Sequence, residues 1–549
     1  MMIRKEIGKL IEKSIKELQK KKIFPVFALP DIKIEHPEDR HYGDYSTNLV
    51  MQISKPAKKN PIEIAELLAS KLQILGSRFL GRVEAVKPGF INFFLKKEYL
   101  QKQIKEILEE EEKFGHLKIG KNKKIQVEFI SANPTGPLTV GNARGGPLGD
   151  VLGNVFKKAG FRVEKAYYIN NYGMQILTLG HSVLKDSESQ YKGAYIDDLI
   201  KEMKRKDLYP VGSHISDSFR AYKVGEKAAE ILVKMIKKTT DRMGIKYDEW
   251  ISEKKLHKSN AVKKILEFLK TKKLIYEKEK AVWFKSSYFG DERDRVVVKS
   301  DGWKTYLAGD LAFHQYKFKK KKFDKVIDIW GADHYGDIPG LQAGVAALGF
   351  KGKLDIILLQ FVTLFEKGKE LKMSKRLGTF VTMDELLDMV GIDAVRFFFL
   401  QKSADTHLNF DLELAKEQSE KNPVYYIQYA NARIHSILKK SKIKMPTVRT
   451  QKKSQINFKL LNHRTELELI KRLIQFPEII EDAASDYQVQ RIPQYALDLA
   501  TVFHRFYRDC RVLSDDKKLT QARLALLLAT KTVFENTLDL MGISAPEKM

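Results

Sequence analysis

Between about residues 120 and 410 the chain alternates short β-branched runs with amphipathic helical patterns, and nothing else in it restricts the fold so tightly. Ile125-Gln126-Val127-Glu128-Phe129-Ile130 reads as a strand, followed by a Gly/Pro loop and a helical pattern through Val151, Leu152 and Phe156. Val163 to Ile169, Val326 to Trp330 and Asp355 to Phe361 are further buried-strand segments, each read as preceding a helical pattern. Strands joined through helices pair in parallel, so the spacing predicts an α/β fold with a Rossmann-like parallel sheet. The polar stretch from about 185 to 280 reads as an insertion into that sheet domain, which spans 118–410.

The flanks have a different rhythm. Residues 1–112 read as a small α+β unit. Ile7, Ile11, Ile15 and Leu18 share one helical face, and Gly43-Asp44-Tyr45-Ser46 opens a second helix through Leu49 and Met51. Pro61 fits the first turn of a third helix, Ile62 to Leu72, where a missing amide donor costs little. Alternation near Val83, Val86 and Ile91-Phe93-Leu95 predicts strands, and a charged helix runs from Tyr99 to Glu112. Beyond 411 strands vanish. A helix carrying Leu524, Leu526, Leu527, Leu528, Val533 and Leu538 typifies an all-α bundle over 411–549.

Composition narrows the function classes. Hydrophobic residues at 43% and aromatics at 10% suffice for several cores and exclude global disorder. A formal net charge of +28 fits a polyanionic partner such as nucleic acid, and equally a lysine-rich solvated surface. A single cysteine, Cys510, excludes a disulfide framework and a cysteine-based zinc knuckle. The N-terminus is amphipathic and charged, with no apolar leader, and no window approaches the roughly 18 to 20 apolar residues of a membrane span. The expectation is a soluble cytoplasmic protein without zinc.

Two loops concentrate the chemistry. The first follows the strand ending at Ile130 and places Gly141 and Asn142 near the next helix start. There a glycine admits a flat base, and an amide can donate to phosphate or ribose oxygen. The second, Lys372-Met373-Ser374-Lys375-Arg376-Leu377-Gly378, is a cationic loop suited to a triphosphate. Alone, each is equally readable as an ordinary turn.

Together they carry a resemblance. Asn133-Pro134-Thr135-Gly136-Pro137-Leu138, with Val140-Gly141 and Ala143-Arg144-Gly145, closely resembles the HIGH region of class I arginyl-tRNA synthetases. Its flanks, Val127 to Ile130 and Tyr167 to Asn171 with Gly173, Gln175 and Ile176, match too. Lys372 to Arg376 resembles the KMSKS loop, and the likeness continues through Val381-Thr382, Val390 to Phe399, Ser403 to Asp411 and Asn422 to Ala430. Gly43 to Asn48 with Lys58 to Pro61 resembles the family's N-terminal domain, and Leu540 to Glu547 resembles the close of its anticodon-binding domain. One departure stands out: Thr139 and Asn142 occupy positions where the family carries histidine. Both still hydrogen-bond but neither holds positive charge, which weakens transition-state stabilisation unless a lysine or Mg²⁺ compensates.

The resemblance implies a class I catalytic domain between a tRNA-elbow-binding and an anticodon-binding domain. It implies an ATP-dependent ligation of L-arginine to the 3′ end of tRNA(Arg) through arginyl-adenylate, with bound tRNA required for the first step and the 2′-OH attacking in the second. ATP and Mg²⁺ are the implied cofactors. It sets ATP against Pro134, Gly136, Thr139, Gly141, Asn142, Met373, Ser374 and Lys375, with Thr139, Asn142, Lys372 and Lys375 catalytic. Tyr306 and Asp310, four apart and so on one helical face, resemble the pair that holds the guanidinium, and Glu128 and Asn133 match further arginine contacts. Asp333 and His334 align with another substrate loop. No resident metal site is expected, and the chain is expected to be a monomer. Lysine clusters at 319–322, 439–444 and 452–453 are candidates for the tRNA path, although any single one reads more readily as a solvated face. Two rivals remain: a tRNA-binding paralogue with weak or lost activation, and a class I synthetase for another amino acid.

Overall fold

A computed structural model describes residues 2–209, 216–371, 381–441 and 456–549. Chain order sets out three units. The first has helix α1 (Ile3–Lys20), strand β1 (Tyr45–Thr47), α2 (Leu49–Ala57), α3 (Pro61–Leu75), β2 (Leu80–Val86), β3 (Phe90–Leu95) and α4 (Lys97–Glu110). The apolar stripe of α1, with Ile7, Ile11, Ile15 and Leu18 buried, packs against α3, which in turn covers an antiparallel sheet of order β1-β3-β2. The Asn60 side chain caps α3 and Pro61 opens it, as the missing amide donor predicts. Tyr45–Thr47 is a strand rather than the start of a helix. Gly43, at φ +99°, has Phe93 O where a Cβ would stand (2.7 Å), so the chain passes tightly along β3 and pairs before α2 begins.

The second unit runs through β4 (Lys124–Glu128), α5 (Val140–Ala143), α6 (Gly145–Lys158), β5 (Arg162–Ile169), α7 (Met174–Leu184), α8 (Ala194–Arg205), α9 (Asp217–Arg242), β6 (Glu249–Ser252), α10 (Glu253–Lys258) and α11 (Ala261–Thr271). An antiparallel β7 (Ile275–Lys278), β8 (Ala281–Phe284) and β9 (Arg295–Val298) follow, then α12 (Tyr306–Gln315), β10 (Lys325–Gly331), α13 (Ile338–Ala347) and β11 (Leu354–Leu359). The central sheet is parallel, in the order β11-β10-β4-β5-β6. Strand order reverses between β4 and β10, so the crevice for ligand opens at their carboxyl ends.

Two expectations shift here. The stretch expected as an insertion contributes β6, the edge strand of the main sheet, so it is not separate from it. β11 is followed not by a helix but by β12 (Val362–Glu366), which with β13 (Lys369–Glu370) and the later β14 (Leu408–Asp411) makes a small sheet beside α14 (Met383–Leu400). Within the stretch, α7 and α9 cross backbone to backbone: a Cβ on Gly180 would lie 1.7 Å from Ala221 O, and one on Gly225 1.9 Å from Ile176 O.

After α15 (Leu412–Lys416), the third unit packs α16 (Pro423–Lys440), α17 (Arg464–Ile474), α18 (Phe476–Asp486), α19 (Arg491–Asp509) and α20 (Lys517–Met541) around buried Leu, Ile and Phe. No helix among the described residues is long and apolar enough to cross a membrane. The first unit docks on this bundle. Glu478 of α18 accepts from the Arg4 amide (3.4 Å) and the buried Tyr45 hydroxyl (3.1 Å), and meets His36 (2.8 Å). Arg4 also pairs with Glu481 and Asp482 (both 2.7 Å).

Candidate active site

At the carboxyl end of β4 the chain leaves the sheet through two left-handed residues, Ile130 (φ +66°) and Ser131 (φ +42°), a conformation that persists only where surroundings enforce it. They do so here. Ser131 Oγ donates to Glu128 Oε1 (3.1 Å) and accepts from the Tyr168 amide (3.0 Å). Tyr167 OH donates to Ala132 O (3.0 Å), Asn170 Nδ2 to Asn133 Oδ1 (2.8 Å) and Tyr195 OH to Thr135 O (3.0 Å). Pro134 is buried, Gly136 lies under the Tyr195 ring, and Gly141 and Asn142 are exposed with open space where a Gly141 Cβ would be. The expected nucleotide surface is therefore rigid at its base and open at its rim.

Thr139 caps α5. Its hydroxyl accepts from the Asn142 amide (3.4 Å) and donates to Asn142 Oδ1 (2.8 Å), so the two residues expected to face ATP bond to one another. The second loop is brought alongside. Thr139 bridges to Thr382, the Val140 amide donates to Val381 O (3.3 Å), and the Met383 amide donates to Leu138 O (2.8 Å). Lys372, Met373, Ser374 and Lys375 lie outside the described residues; their flank is thus fastened to the first loop. Arg144, nearly fully buried, spends its guanidinium on the carbonyls of Gln360, Phe361, Ser403 and Thr406, and burial draws its pKa down to about 10.

Tyr306 and Asp310 share one face of α12 as their spacing predicts, with Tyr306 exposed at the rim and Asp310 partly buried beneath. Burial, then Glu253, Glu128 and Asp328, push the Asp310 carboxyl up to about 8. That shift reflects burial first and the neighbouring carboxylates second, with Lys317 opposing them. Lys317, fully buried, is engaged by Glu128 (2.7 Å) and Asp328 (2.8 Å). Burial works against both carboxylates: Asp328, held by Lys317 and His314, nonetheless falls to about 2, while Glu128, with a single cation and a carboxylate neighbour, is raised.

Glu253, at the start of α10, escapes a reading of the sequence. It is buried, its Oε2 has no hydrogen-bond partner, and its Oε1 lies 3.9 Å from the place of a Gly309 Cβ. A side chain at 309 would close that space. Glu253 Oε1 lies 3.8 Å from His257 Nε2, but a buried carboxylate oxygen left without a hydrogen bond beside Asp310 is an acceptor suited to a cation. The signal for it was the β6–α10 junction at Ser252-Glu253, hidden by the insertion reading. Asp333 and His334 lie at the same sheet edge after β10 but stay exposed (side chains 68% and 57%); they pair weakly with each other (3.8 Å), and His334 with Asp337 (3.5 Å). Among the described residues no group of three or more His, Cys, Asp or Glu side chains is arranged to hold a metal.

Residues 103–419 match the family model of tRNA synthetases class I (R), catalytic domain, which covers more than half of the chain. The chain belongs to the class I arginyl-tRNA synthetases. The N-terminal domain model of arginyl-tRNA synthetase matches residues 5–95, and the DALR anticodon binding domain matches 427–549. The arginine–tRNA ligase of Caldanaerobacter subterraneus subsp. tengcongensis is 40% identical over 100% of this chain and 99% of its own length. That of Listeria monocytogenes is 42% identical over 95% of each. The Thermus thermophilus arginyl-tRNA synthetase structure covers 100% of both chains with a TM-score of 0.79 at 23% identity, a likeness of fold. As an arginyl-tRNA synthetase the chain ligates arginine to tRNA and uses ATP. A synthetase for another amino acid is set aside, and a paralogue without activation is not favoured.

Proposed function

We propose that arginine binds between α12 and α10, its guanidinium meeting Asp310 and Glu253 with the Tyr306 hydroxyl at the rim, and its backbone groups facing Glu128 and Asn133. The observation that carries this is the pair of neighbouring carboxylates at Asp310, raised to about 8, and Glu253, one buried oxygen of which has no hydrogen-bond partner and the other of which meets His257 only at 3.8 Å. A planar guanidinium supplies the missing charge and the donors in one group. Asp333 and His334 border the same crevice as outer contacts.

ATP lies along the first loop, its base over Gly141 and its phosphates toward Thr139, Asn142 and the start of α5, with Pro134 and Gly136 as floor and Met373 and Ser374 across from it. Lys372 and Lys375 neutralise the charge that develops as the arginine carboxylate attacks the α-phosphate and pyrophosphate leaves. The 2′-OH of the terminal ribose then takes the arginyl group from the adenylate. A Mg²⁺ carried in with the triphosphate would add to the charge neutralisation by Lys372 and Lys375. It lends charge neutralisation only.

Residues 1–112 face the tRNA elbow, 118–410 perform catalysis and 411–549 face the anticodon. Bound tRNA is required for the first step. The enzyme works as a cytoplasmic monomer without zinc; its one cysteine is buried beside Thr465 (3.6 Å).

Arginine-dependent ATP–pyrophosphate exchange, with and without tRNA, tests this reading. Exchange that requires both arginine and tRNA is expected; exchange indifferent to tRNA removes the tRNA requirement, and none under any condition removes the activation chemistry.

A further inference from the structure

A widened π turn, Tyr316–Lys320, continues α12. Such turns concentrate at functional sites because they cost regular hydrogen bonding. Lys317 lies within it, three helical turns of about 3.6 residues beyond Tyr306, so it shares the stripe that carries Tyr306 and Asp310. Its side chain has no exposure to solvent. The ammonium group donates to Glu128 Oε2 (2.7 Å) and Asp328 Oδ1 (2.8 Å) and lies 4.3 Å from the centre of the Phe313 ring, which stacks on Tyr168. Asp328 Oδ2 meets His314 Nε2 (2.9 Å), and His314 Nδ1 meets the carbonyl of Asp310 itself (2.8 Å). One cation thus links the end of β4, the middle of β10 and the backbone of α12 at the residue proposed to hold the guanidinium.

We infer that Lys317 is a positioning residue for arginine: it fixes Glu128 directly and, through Asp328 and His314, the helix that presents Tyr306 and Asp310. The inference rests on the arginine pocket proposed above. Its ammonium touches no part of that pocket's open space, so its effect is transmitted. With its charge shared by Glu128 and Asp328, Lys317 leaves Asp310 and Glu253 as the carboxylates in need of a cation, which matches a single guanidinium. Removing Lys317 leaves Asp328 with His314 and Glu128 with the Ser131 hydroxyl but neither with its lysine, and both then compete for substrate cation in the wrong place. The nucleotide surface at Thr139 to Asn142 is held by a different set of bonds, to Val381, Thr382 and Met383. A loss of Lys317 therefore separates the two substrates.

The test uses the full chain with tRNA in ATP–pyrophosphate exchange, titrating arginine and ATP separately. Lys317→Met raises the arginine KM about tenfold or more while the ATP KM stays within roughly twofold. Lys317→Arg keeps charge and fold but cannot place one nitrogen between two carboxylates, so it gives a smaller rise in the same direction. If Lys317→Met does not fold, Lys317→Arg and Asp328→Asn carry the test. Parallel rises in both KM values, or an unchanged arginine KM, overturn the assignment. Asp310→Asn and Tyr306→Phe keep the two readings apart. If they leave the arginine KM unchanged, the pocket falls and Lys317 with it. If they raise it and the Lys317 variants do not, only the Lys317 assignment falls.

Discussion

Thr139 and Thr382 form an isolated antiparallel bridge that fastens the first loop of the sheet domain to the residue capping the helix after the second. Thr382 belongs to a capping box: its hydroxyl accepts from the Glu385 amide (3.1 Å), and Glu385 Oε2 accepts from the Thr382 amide (2.7 Å). Glu385→Ala should cost about 1 kcal/mol of stability. It should raise the ATP KM and leave the arginine KM alone. Separate titrations of the two substrates check this, and an unmoved ATP KM in a measurably destabilised variant would refute the link.

Thr139 also anchors Asn142, and neither side chain carries a charge. Thr139→Ala removes the cap and frees the Asn142 amide from its place. Exchange should slow by roughly a hundredfold in kcat, the scale for one lost transition-state donor. Substrate KM values should move much less. A kcat near wild type would show that the Thr139 cap does not contribute to the transition state.

Asp310 gives the pocket a pH dependence of definite sign. Its carboxyl is raised from 3.8 to about 8, by burial first and then by Glu253, Glu128 and Asp328. Between those values the folded, ligand-free chain keeps a proton that the unfolded chain has lost. The stabilising contribution is therefore full below about pH 4 and is lost progressively as pH rises through 8. Arginine needs the ionised form, so its KM should fall by up to about tenfold per pH unit toward 8 and then level off. Measured from pH 6 to 9, a flat profile would count against the assignment. In Asp310→Asn the slope should vanish.

Glu253→Gln separates stability from binding. It removes a buried charge with an unpartnered oxygen, so the ligand-free protein should melt at a higher temperature. It also removes an acceptor for arginine, so the arginine KM should rise by about ten- to a hundredfold or more. Because Glu253 is the leading charge that raises Asp310, the pH profile should move to lower pH. A variant that melts lower and binds arginine normally would contradict both claims.

Arg396 is completely buried. It donates to Met541 O (2.6 Å), Met243 O (2.8 Å) and Asp150 Oδ2 (2.5 Å), and its guanidinium fills the space where Gly542 would carry a Cβ (2.6 Å). Arg396→Met should cost about 3–5 kcal/mol in denaturant unfolding, because Asp150 is left with Lys165 alone. Arg396→Lys should not restore it, since a point charge cannot serve three directions at once.

Legibility in the sequence tracked how local the determining physics is. β4, β5 and β10 were readable because each is a short apolar run closed by a loop, and Tyr306 and Asp310 because helical spacing alone puts them together. Tyr45–Thr47 was not, since its pairing depends on Phe93, far along the chain. Glu249–Ser252 was masked by the polar helices around it, and with it Glu253. Lys317 looked like one more lysine ahead of a basic run. Only the fold shows that it points inward, and that Lys321 within that run pairs with Glu164 and Glu249.

Glu478 holds the first unit of the chain against the last helices through the Arg4 amide, Tyr45 and His36, and Lys471 adds a bond to Asp44 (2.6 Å). The surfaces proposed for the elbow and the anticodon therefore stand at a set separation. A tRNA that touched both would meet a fixed span, with Glu478 as the rivet that keeps it from slipping.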